Sequence, residues 1–421
     1  MCGRVPLAPN PAAHAAVRRD EGSESPVFLG LDVLDWVLIV ALFLFAAAGW
    51  RKSFLVALGG ILGFLAGAAA SFFAIPLVSA WIPDPTWRVI GLIVAFVLFL
   101  AIGHGLGEAA AAKVRGWMDM PRPRWWGRVG GAGVNLIAAG FAISALAFTF
   151  STLGLPLLST QIAQSKVIQA SRALTPEAVE RGLGEARTLV AGMPLPEILV
   201  PLAPKHDVEV PSAELDTDAL KSARASVASI TGTAAACGVN QTGTAFVVAK
   251  DRVMTNAHVV EGVEQPVIET ADGRALTGRV VSFDPVRDVA IVAVDGLELG
   301  PLSLGRDLET GAEAVFMGFP AGGPFSAAPA AVQSLHTLRV PNIYGADATP
   351  LSVYQLAADV QQGNSGGPLL TADGRVSGMV FAKAKSEDNV GYALSLEEIA
   401  PAVAQASSLF DSVSTGSCTN R

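Results

Sequence analysis

Two patterns of apolar residues divide this chain into parts of different kinds. Up to about residue 158, apolar residues form four long runs, at 33–49, 54–78, 89–107 and 130–153. Each run is about long enough for a membrane-spanning helix, which needs roughly 20 apolar residues. Four such runs so close together are not typical of buried helices in a soluble protein. The first part of the chain therefore predicts four transmembrane helices.

From about residue 226 onward, the apolar residues form short runs separated by turn-forming residues. Such runs, for example 243–248 and 289–294, are typical of the strands of a β-sandwich or β-barrel. Between the two parts, the spacing first favours amphipathic helices, and several prolines then interrupt it. Residues 205–221 are acidic and predict an exposed tether, with a cleavage site or propeptide as the alternative.

Lysine and arginine in the short loops predict the orientation of the four helices. The first loop contains Arg51 and Lys52, the third carries five basic residues, and the second has none apart from Arg88 at its edge. Because cytoplasmic loops are enriched in Lys and Arg, we expect the first and third loops in the cytoplasm. The segment after the fourth helix then lies outside. A polar tail of about thirty residues precedes the first run, so no cleavable signal peptide is expected.

Composition narrows the classes of function. The chain has 421 residues, is 51% hydrophobic and carries a net charge of −8, with a mean hydropathy of +0.46. Its basic residues are concentrated in the third loop and no nucleic-acid-binding motif is present, so we expect no nucleic-acid partner. His and Cys do not occur at the spacing of metal ligands, so we expect no metal and no other cofactor.

The three cysteines bear on the compartment. Cys237 and Cys418 flank the β-rich part, and in an oxidising compartment these two could form a disulfide bond. The bond would close a long loop and stabilise the folded state by about 4–5 kcal/mol in the chain-entropy model. The alternative is two unrelated free thiols, and Cys2 has no evident partner.

Candidate catalytic residues lie in three motifs of the β-rich part. His258 follows a short apolar run, Asp288 begins another, and Ser365 lies in the glycine-rich stretch 363–368. The order His, Asp, Ser is that of the chymotrypsin-like template, in which these residues act as base, orienting carboxylate and nucleophile. Asp284 is the alternative to Asp288, which we prefer because it directly precedes the apolar run.

Each of these residues has an expected role. Ser365 would attack the scissile carbonyl, with His258 as general base and then as general acid toward the leaving amine. Asp288 would hold the imidazole in the required tautomer. The backbone N–H groups of Gly363 and Ser365 would bind the oxyanion, and Asn364 would turn the loop toward it.

The same motifs resemble trypsin-like proteases of the bacterial high-temperature-requirement type. The matching segments are Thr255-Asn256-Ala257-His258-Val259-Val260, Asp288-Val289-Ala290-Ile291 and Gly363-Asn364-Ser365-Gly366-Gly367-Pro368. The whole chain is more similar still to actinobacterial membrane-anchored periplasmic serine proteases of the acid-resistance type, in which a colicin-V-production-type membrane domain precedes the protease. With an end at Arg421, we expect no PDZ domain.

The resemblance implies a fold and contacts with substrate. The fold would be two six-stranded β-barrels, with His258 and Asp288 in the first barrel, Ser365 in the second and the active site between them. Asp359 lies six residues before Ser365, at the position where trypsin-like enzymes place the base of the primary pocket. A carboxylate there would favour Lys or Arg before the scissile bond, and a structural loop carboxylate is the alternative. A strand would pair with the extended substrate. Its residues would be Val380, Phe381 and Ala382.

Together with this resemblance, the sequence predicts a multidomain protein, a four-helix transmembrane α domain followed by an all-β chymotrypsin-like double β-barrel. The expected parts are a polar tail (1–31), a transmembrane domain (32–155), a helical and Pro-containing linker (156–225) and a trypsin-like protease domain (226–421).

The expected function is that of a serine endopeptidase tethered to the cell membrane, with its protease domain outside the cytoplasm. Its partners would be the lipid bilayer and protein or peptide substrates of the cell envelope. The resemblance implies a role in envelope protein processing or in acid or oxidative stress resistance. The alternative is a membrane transport or scaffold protein whose protease-like domain is regulatory and not catalytic.

Overall fold

The computed structural model describes residues 31–52, 54–81, 85–117, 125–151, 161–162, 165–175, 197–198, 209–211, 215–234, 239–384, 387 and 389–417. Cys2, Cys237 and Cys418 lie outside the described residues, and so does the disulfide bond predicted between the last two.

Four long helices form the N-terminal region. They are α1 (Val33–Arg51), α2 (Phe54–Trp81), α3 (Pro85–Trp117) and α4 (Trp125–Ser151). Among the described residues, three stretches are long and apolar enough to cross a membrane, at Val33–Arg51, Phe54–Ser71 and Val94–Trp117. Large apolar side chains face outward on these helices, and Phe43 is 71% and Leu106 68% exposed. Outward-facing apolar side chains fit a lipid environment better than water.

Glycines allow α2 and α3 to pack with their backbones in contact. A Cβ atom added at Gly63 would lie closer than 3.0 Å to the carbonyl oxygen of Gly103, and one at Gly107 would meet the carbonyl oxygen of Gly59 equally closely. Gly105 of α3, by contrast, has no atom within 4 Å of such a position. The glycines spaced four residues apart therefore mark the packed faces of the two helices.

A short helix after the long ones, α5 (Lys166–Ala173), is held at the start of α1. The Asp35 side chain accepts a hydrogen bond from Ser165 Oγ at 2.6 Å and another from the Val167 N–H at 3.0 Å. Asp35 is only 1% exposed. These contacts join the start of the predicted linker to the first long helix.

The segment just before the first sheet differs from the sequence prediction. Helix α6 (Asp218–Arg224) begins inside the stretch 205–221, which the composition predicts as an exposed tether. Thr217 caps this helix by accepting a hydrogen bond from the Leu220 N–H, and Leu220 is 1% exposed within an apolar core. The prediction is wrong here because an N-cap residue and a buried leucine outweigh the acidic composition.

The first sheet of the β-rich part has seven strands, all antiparallel. In chain order they are β2 (Val227–Ala234), β3 (Val239–Ala249), β4 (Arg252–Thr255), β5 (Val267–Glu269), β6 (Ala275–Thr277), β7 (Arg279–Asp284) and β8 (Val289–Ala293). Their order across the sheet is β6-β5-β2-β3-β4-β8-β7. Strands β4 and β8 are neighbours. The end of β4, which leads to His258, therefore lies beside the start of β8, which follows Asp288.

The second sheet curls until its last strand meets an earlier one. Its strands are β9 (Glu313–Gly318), β10 (Ser326–Val340), β11 (Thr349–Ala357), β12 (Pro368–Leu370), β13 (Val376–Ala384) and β14 (Val390–Ser395), and a two-residue strand, β1 (Glu197–Ile198), joins its edge. The order is β1-β13-β12-β9-β10-β11-β14, with a further pairing between β13 and β14.

An apolar core joins the two sheets. Side chains of Phe246, Met254 and Ile291 from the first sheet belong to the same buried cluster as Met317 and Leu351 from the second. The neighbours of Ile291 in β8 point into a separate core within the first sheet. Because β8 is buried on both faces, its sequence is an unbroken apolar run without alternation.

The end of the chain crosses back to the first sheet. After helix α7 (Leu396–Gln405), residues 409–417 form what we call the C-terminal strap. The Val413 N–H donates to the Val280 carbonyl at 3.0 Å, and the Gly262 N–H donates to the Thr415 carbonyl at 3.1 Å. The strap therefore reaches the segment that follows His258.

Candidate active site

His258 lies in a single 3-10 turn directly after β4. The turn spans Ala257–Val259, and the apolar residues on both sides of His258 are buried. They anchor the turn and leave the imidazole partly accessible, with 11% of its side chain exposed. The short turn ends the strand and directs the histidine out of the sheet.

Asp288 holds His258 by two hydrogen bonds. Its Oδ2 lies 2.7 Å from Nδ1 of His258, and its Oδ1 accepts the backbone N–H of His258 at 2.9 Å. The alternative carboxylate, Asp284, instead accepts the N–H groups of Val286 and Arg287 and thereby stabilises its own turn. Of the two aspartates considered, the structure brings Asp288 to the histidine.

Asn256 supports the backbone of Asp288, a role that the sequence does not reveal. Asp288 has a φ of 58°, in the left-handed region that only a few non-glycine residues adopt. The Asn256 side chain, which is fully buried, donates from Nδ2 to the Asp288 carbonyl at 2.8 Å. The signal in the sequence that could have drawn attention to Asn256 is its position two residues before His258.

Ser365 lies in the loop between β11 and β12 and is 2% exposed. Its Oγ makes no hydrogen bond with any described residue, and His258 is therefore bonded to Asp288 but not to Ser365. The two residues are nevertheless neighbours. A Cβ atom added at Gly243 would touch both the side chain of Val259 and the carbonyl oxygen of Ser365.

The loop around Ser365 leaves two backbone N–H groups unused. Those of Gly363 and Ser365 make no hydrogen bond within the described part of the chain. Gly363 has a φ of +93°, and a Cβ atom there would lie closer than 3.0 Å to the Phe319 carbonyl, so glycine is required at this position. Asn364 Oδ1 accepts the N–H of Gln361 at 2.8 Å, and this bond turns the loop.

Asp359 is exposed and bonded within its own loop. Its Oδ2 accepts a hydrogen bond from Nε2 of Gln361 at 3.0 Å. Asp359 is exposed, whereas every residue from Gly363 to Gly367 is buried. The structure therefore places this carboxylate in water, hydrogen-bonded to a neighbour.

The three predicted substrate-pairing residues are buried in β13, but their backbones differ in availability. The Val380 N–H donates to the Gly367 carbonyl and the Val380 carbonyl accepts from the Gly366 N–H, both at 2.9 Å. Val380 is therefore already paired with the Ser365 loop. The edge of β13 beyond this point is where β1 pairs in parallel, opposite Lys383 and Ala384. Phe381 and Ala382 lie between these two pairings.

Tyr392 of β14 lies opposite Ala382 and stays neutral. Burial, with a smaller contribution from the nearby Glu387 carboxylate, raises the pKa of the Tyr392 hydroxyl to about 12.

Within the described residues, no group of three or more His, Cys, Asp and Glu side chains has an arrangement that could hold a metal ion.

Family models match both parts of the chain. A model described as a trypsin-like peptidase domain matches residues 243–379, and one described as the Colicin V production protein matches residues 34–176. Serine protease Rv3671c of Mycobacterium tuberculosis is 31% identical over 395 residues, which cover 91% of this chain and 98% of that protein. The chain belongs to this family of serine proteases.

Two further comparisons agree with this assignment. The crystal structure of the Rv3671c protease in its active form is 36% identical with a TM-score of 0.50, and the match covers 53% of this chain and 100% of that one. A probable periplasmic serine endoprotease of the DegP-like type from Halomonas elongata is 31% identical over 161 residues, 37% of this chain and 33% of that protein.

The comparisons confirm the predicted resemblance and the enzyme class. The chain is a serine protease, with a helical N-terminal region of apolar helices and a β-rich, trypsin-like protease domain. The apolar helices and the match to the Colicin V production protein indicate association with a membrane.

Proposed function

We propose that this protein is a membrane-tethered serine endopeptidase that uses His258, Asp288 and Ser365 as its catalytic residues. The observation that carries the proposal is the pair of hydrogen bonds from His258 to Asp288, at 2.7 and 2.9 Å. They fix both the ring and the backbone of the histidine. A carboxylate bound at Nδ1 leaves Nε2 of the imidazole as the atom that exchanges protons.

The reaction would proceed through an acyl-enzyme. Nε2 of His258 takes the proton of the Ser365 hydroxyl while Oγ attacks the scissile carbonyl, and the resulting imidazolium is stabilised by Asp288. The same proton then passes to the leaving amine. Water repeats the sequence against the ester and releases the second product. The hydrogen bond between His258 and Ser365 would form with substrate bound, as catalytic hydrogen bonds often do.

The N–H groups of Gly363 and Ser365 are the donors that we assign to the oxyanion. Both are unused by the described residues, and the hydrogen bond of Asn364 to Gln361 shapes the turn that carries them. Donors that are already oriented stabilise the developing charge without reorganisation, and one such donor changes kcat by about 10²–10³.

For the whole chain we propose four transmembrane helices within 32–155, a linker over 156–225, and a protease domain over 226–421. The domain would contain two β-barrels, one from the seven strands β2–β8 and one from the six strands β9–β14. The 1–31 tail and the protease domain would lie outside the cytoplasm. Support comes from four long helices, from basic residues in the first and third loops, and from the pairing of β13 with β14.

The proposed substrates are proteins or peptides of the cell envelope, and the proposed context is envelope protein processing or stress resistance. An extended segment would add to the free edge of β13 near Phe381 and Ala382. That edge accepts a strand in the present structure, where β1 pairs with it.

The test is covalent labelling of the full-length protein in detergent micelles with a fluorophosphonate probe, alongside hydrolysis of fluorescently labelled casein. We expect labelling and hydrolysis in the natural chain, and neither in a Ser365→Ala variant. Labelling that persists in Ser365→Ala would place the nucleophile elsewhere. A folded natural chain that is neither labelled nor active would favour the regulatory, non-catalytic alternative.

A further inference from the structure

The loop that carries Ser365 has to direct two backbone N–H groups toward one point. On the proposed function, on which this inference rests, these belong to Gly363 and Ser365. A peptide group is planar, so whatever holds its carbonyl also sets the direction of its N–H. The carbonyl of Gln362 accepts the Ala321 N–H at 2.5 Å, and that of Asn364 accepts an N–H within the loop at 2.9 Å. Hydrogen bonds to these carbonyl oxygens therefore fix the orientation of the two peptide groups that carry the donor N–H groups.

The carbonyl groups of Gly363 and Ser365 belong to the next peptide group along the chain from each donor. Both carbonyls are held by a single residue, Thr244 of β3. Its hydroxyl donates to the Gly363 carbonyl at 2.6 Å, and its backbone N–H donates to the Ser365 carbonyl at 2.8 Å. We propose that Thr244 is a positioning residue for the oxyanion site, which acts by fixing the backbone on both sides of the donor N–H groups.

The Thr244 hydroxyl is fully committed to this arrangement. It donates its one proton to Gly363 and accepts the backbone N–H of Phe319 at 3.1 Å. Phe319 directly follows β9 of the second sheet. The Thr244 hydroxyl therefore joins the Ser365 loop to another segment of the second sheet. Thr244 is completely buried, and its β-branched side chain has a restricted χ1. Water cannot replace a hydroxyl at such a site without a cavity.

Thr244 also connects the nucleophile loop to the strand of the base. Its carbonyl accepts a hydrogen bond from Thr255 Oγ1 at 2.7 Å, and Thr255 lies three residues before His258. A Cβ atom at Gly366 would lie closer than 3.0 Å to both the Thr244 carbonyl and Thr255 Oγ1. The first sheet and the Ser365 loop are thus in direct backbone contact at Thr244.

A merely structural role for Thr244 makes a different prediction. A buried threonine that only stabilises the fold would, when replaced, lower the amount of folded protein without changing the chemistry of each folded molecule. A positioning residue instead changes kcat more than KM, because its effect is realised in the transition state. It also changes the rate of phosphonylation, since the phosphoryl oxygen of a fluorophosphonate occupies the oxyanion site.

The experiment compares Thr244→Val, which keeps the shape and removes the hydroxyl, with Thr244→Ser, which keeps the hydroxyl. The control is Thr242→Val, because Thr242 lies on the same face of β3 and its hydroxyl has no hydrogen bond to any described residue. Full-length proteins in detergent are assayed for labelled-casein hydrolysis and for the fluorophosphonate labelling rate, both expressed per folded molecule by circular dichroism.

We expect Thr244→Val to lower kcat and the labelling rate by about 10–100-fold, less than outright loss of an oxyanion donor, with KM changed by less than about threefold. Thr244→Ser should keep at least about a third of both rates, and Thr242→Val should match the natural chain. A Thr244→Val variant with natural rates, or one changed only in KM, would overturn the inference.

Two further outcomes are decisive. If Thr244→Val does not fold, Thr244→Ala takes its place, because it removes atoms without adding any, and natural rates per folded Ala variant would overturn the inference. If the natural chain shows no labelling that depends on Ser365, the proposed function itself fails and this inference with it.

Discussion

At the scale of single residues, the site depends on backbone conformations that most residue types avoid. Asp288 adopts a left-handed φ and Gly363 a φ of +93°, and each is held by a neighbour with a defined hydrogen bond or close contact. Such conformations persist only where the surroundings determine them. At Asp288 the cost is offset by Asn256, whose amide holds the Asp288 carbonyl. At Gly363 glycine adopts the positive φ without such a cost, and the Phe319 carbonyl leaves no room for any other side chain.

The identity of the orienting carboxylate can be tested with a matched pair of variants. Asp288→Asn should lower kcat by about 10³–10⁴, because an amide at this position stabilises the wrong imidazole tautomer. Asp284→Asn should change kcat by less than about twofold, since Asp284 bonds only to its own turn. Steady-state hydrolysis of labelled casein measures both. Equal losses in the two variants would contradict the assignment.

The exposed position of Asp359 leads to a prediction on specificity. Its carboxylate bonds to Gln361 in water, so we expect it to act as a structural loop residue. Asp359→Asn should therefore leave the cleavage-site preference unchanged, as measured by mass spectrometry of the products from a denatured protein mixture. A preference for Lys or Arg in the natural chain that disappears in Asp359→Asn would instead assign this residue to the primary pocket.

At the scale of elements, short strands with strong apolar runs are the part of the fold that the sequence predicts best. The run 289–294 corresponds to β8 (Val289–Ala293) because both of its faces are buried. The start of strand β10 (Ser326–Val340) is harder to predict, since alanines and Pro329 hide the strand pattern there. Helix α7 is not apparent from sequence because Pro401 lies inside it.

The candidate site shows the same division between local and long-range information. His258, Asp288 and Ser365 are recognisable because each lies in a motif with a chemical reason for its composition. Thr244 is not recognisable, because Gly363 and Ser365, the loop residues that it holds, lie more than a hundred residues away and its segment carries no motif for the reaction. Long-range backbone contacts of this kind require the fold.

Packing of the α2–α3 pair provides a prediction at this scale. Gly107→Ala should destabilise the pair by about 1–3 kcal/mol, because the added methyl group would meet the backbone of α2. Gly105→Ala, two residues away with open space around it, is the control and should change stability little. Thermal unfolding of the full-length protein in detergent compares the two. Equal melting temperatures for both variants would show that close backbone packing is not needed.

At the scale of the whole molecule, the basic loops gather at one end of the helices. Lys52 of the first loop pairs with Glu108 of α3, and His104 lies 3.0 Å from the same carboxylate. Glu108 is near the end of α3 that leads into the third loop, and Lys113 and Arg115 lie in the last turns of the same helix. The two loops rich in positive charge are therefore on the same side, as an orientation with both in the cytoplasm requires.

This orientation predicts the outcome of a protection experiment. An epitope tag inserted at 118–124 should be protected from an external protease added to spheroplasts, whereas the domain containing Ser365 should be degraded or labelled. Detergent permeabilisation should make both accessible. Accessibility of the tag in intact spheroplasts would reverse the orientation and contradict an extracytoplasmic protease domain.

The C-terminal strap gives the predicted disulfide a physical role in the whole molecule. The strap returns from the second sheet to the first and ends at Ser417, one residue before Cys418, with its Thr415 carbonyl bonded to the Gly262 N–H. A bond from Cys418 to Cys237 would lock this return, stabilising the fold by about 4–5 kcal/mol in the chain-entropy model. Cys418→Ser should therefore lower the melting temperature of oxidised protein and have no effect after reduction, with Cys2→Ser as the control. If Cys418→Ser lowers the melting temperature equally in both redox states, the cysteine acts through packing and not through a disulfide bond.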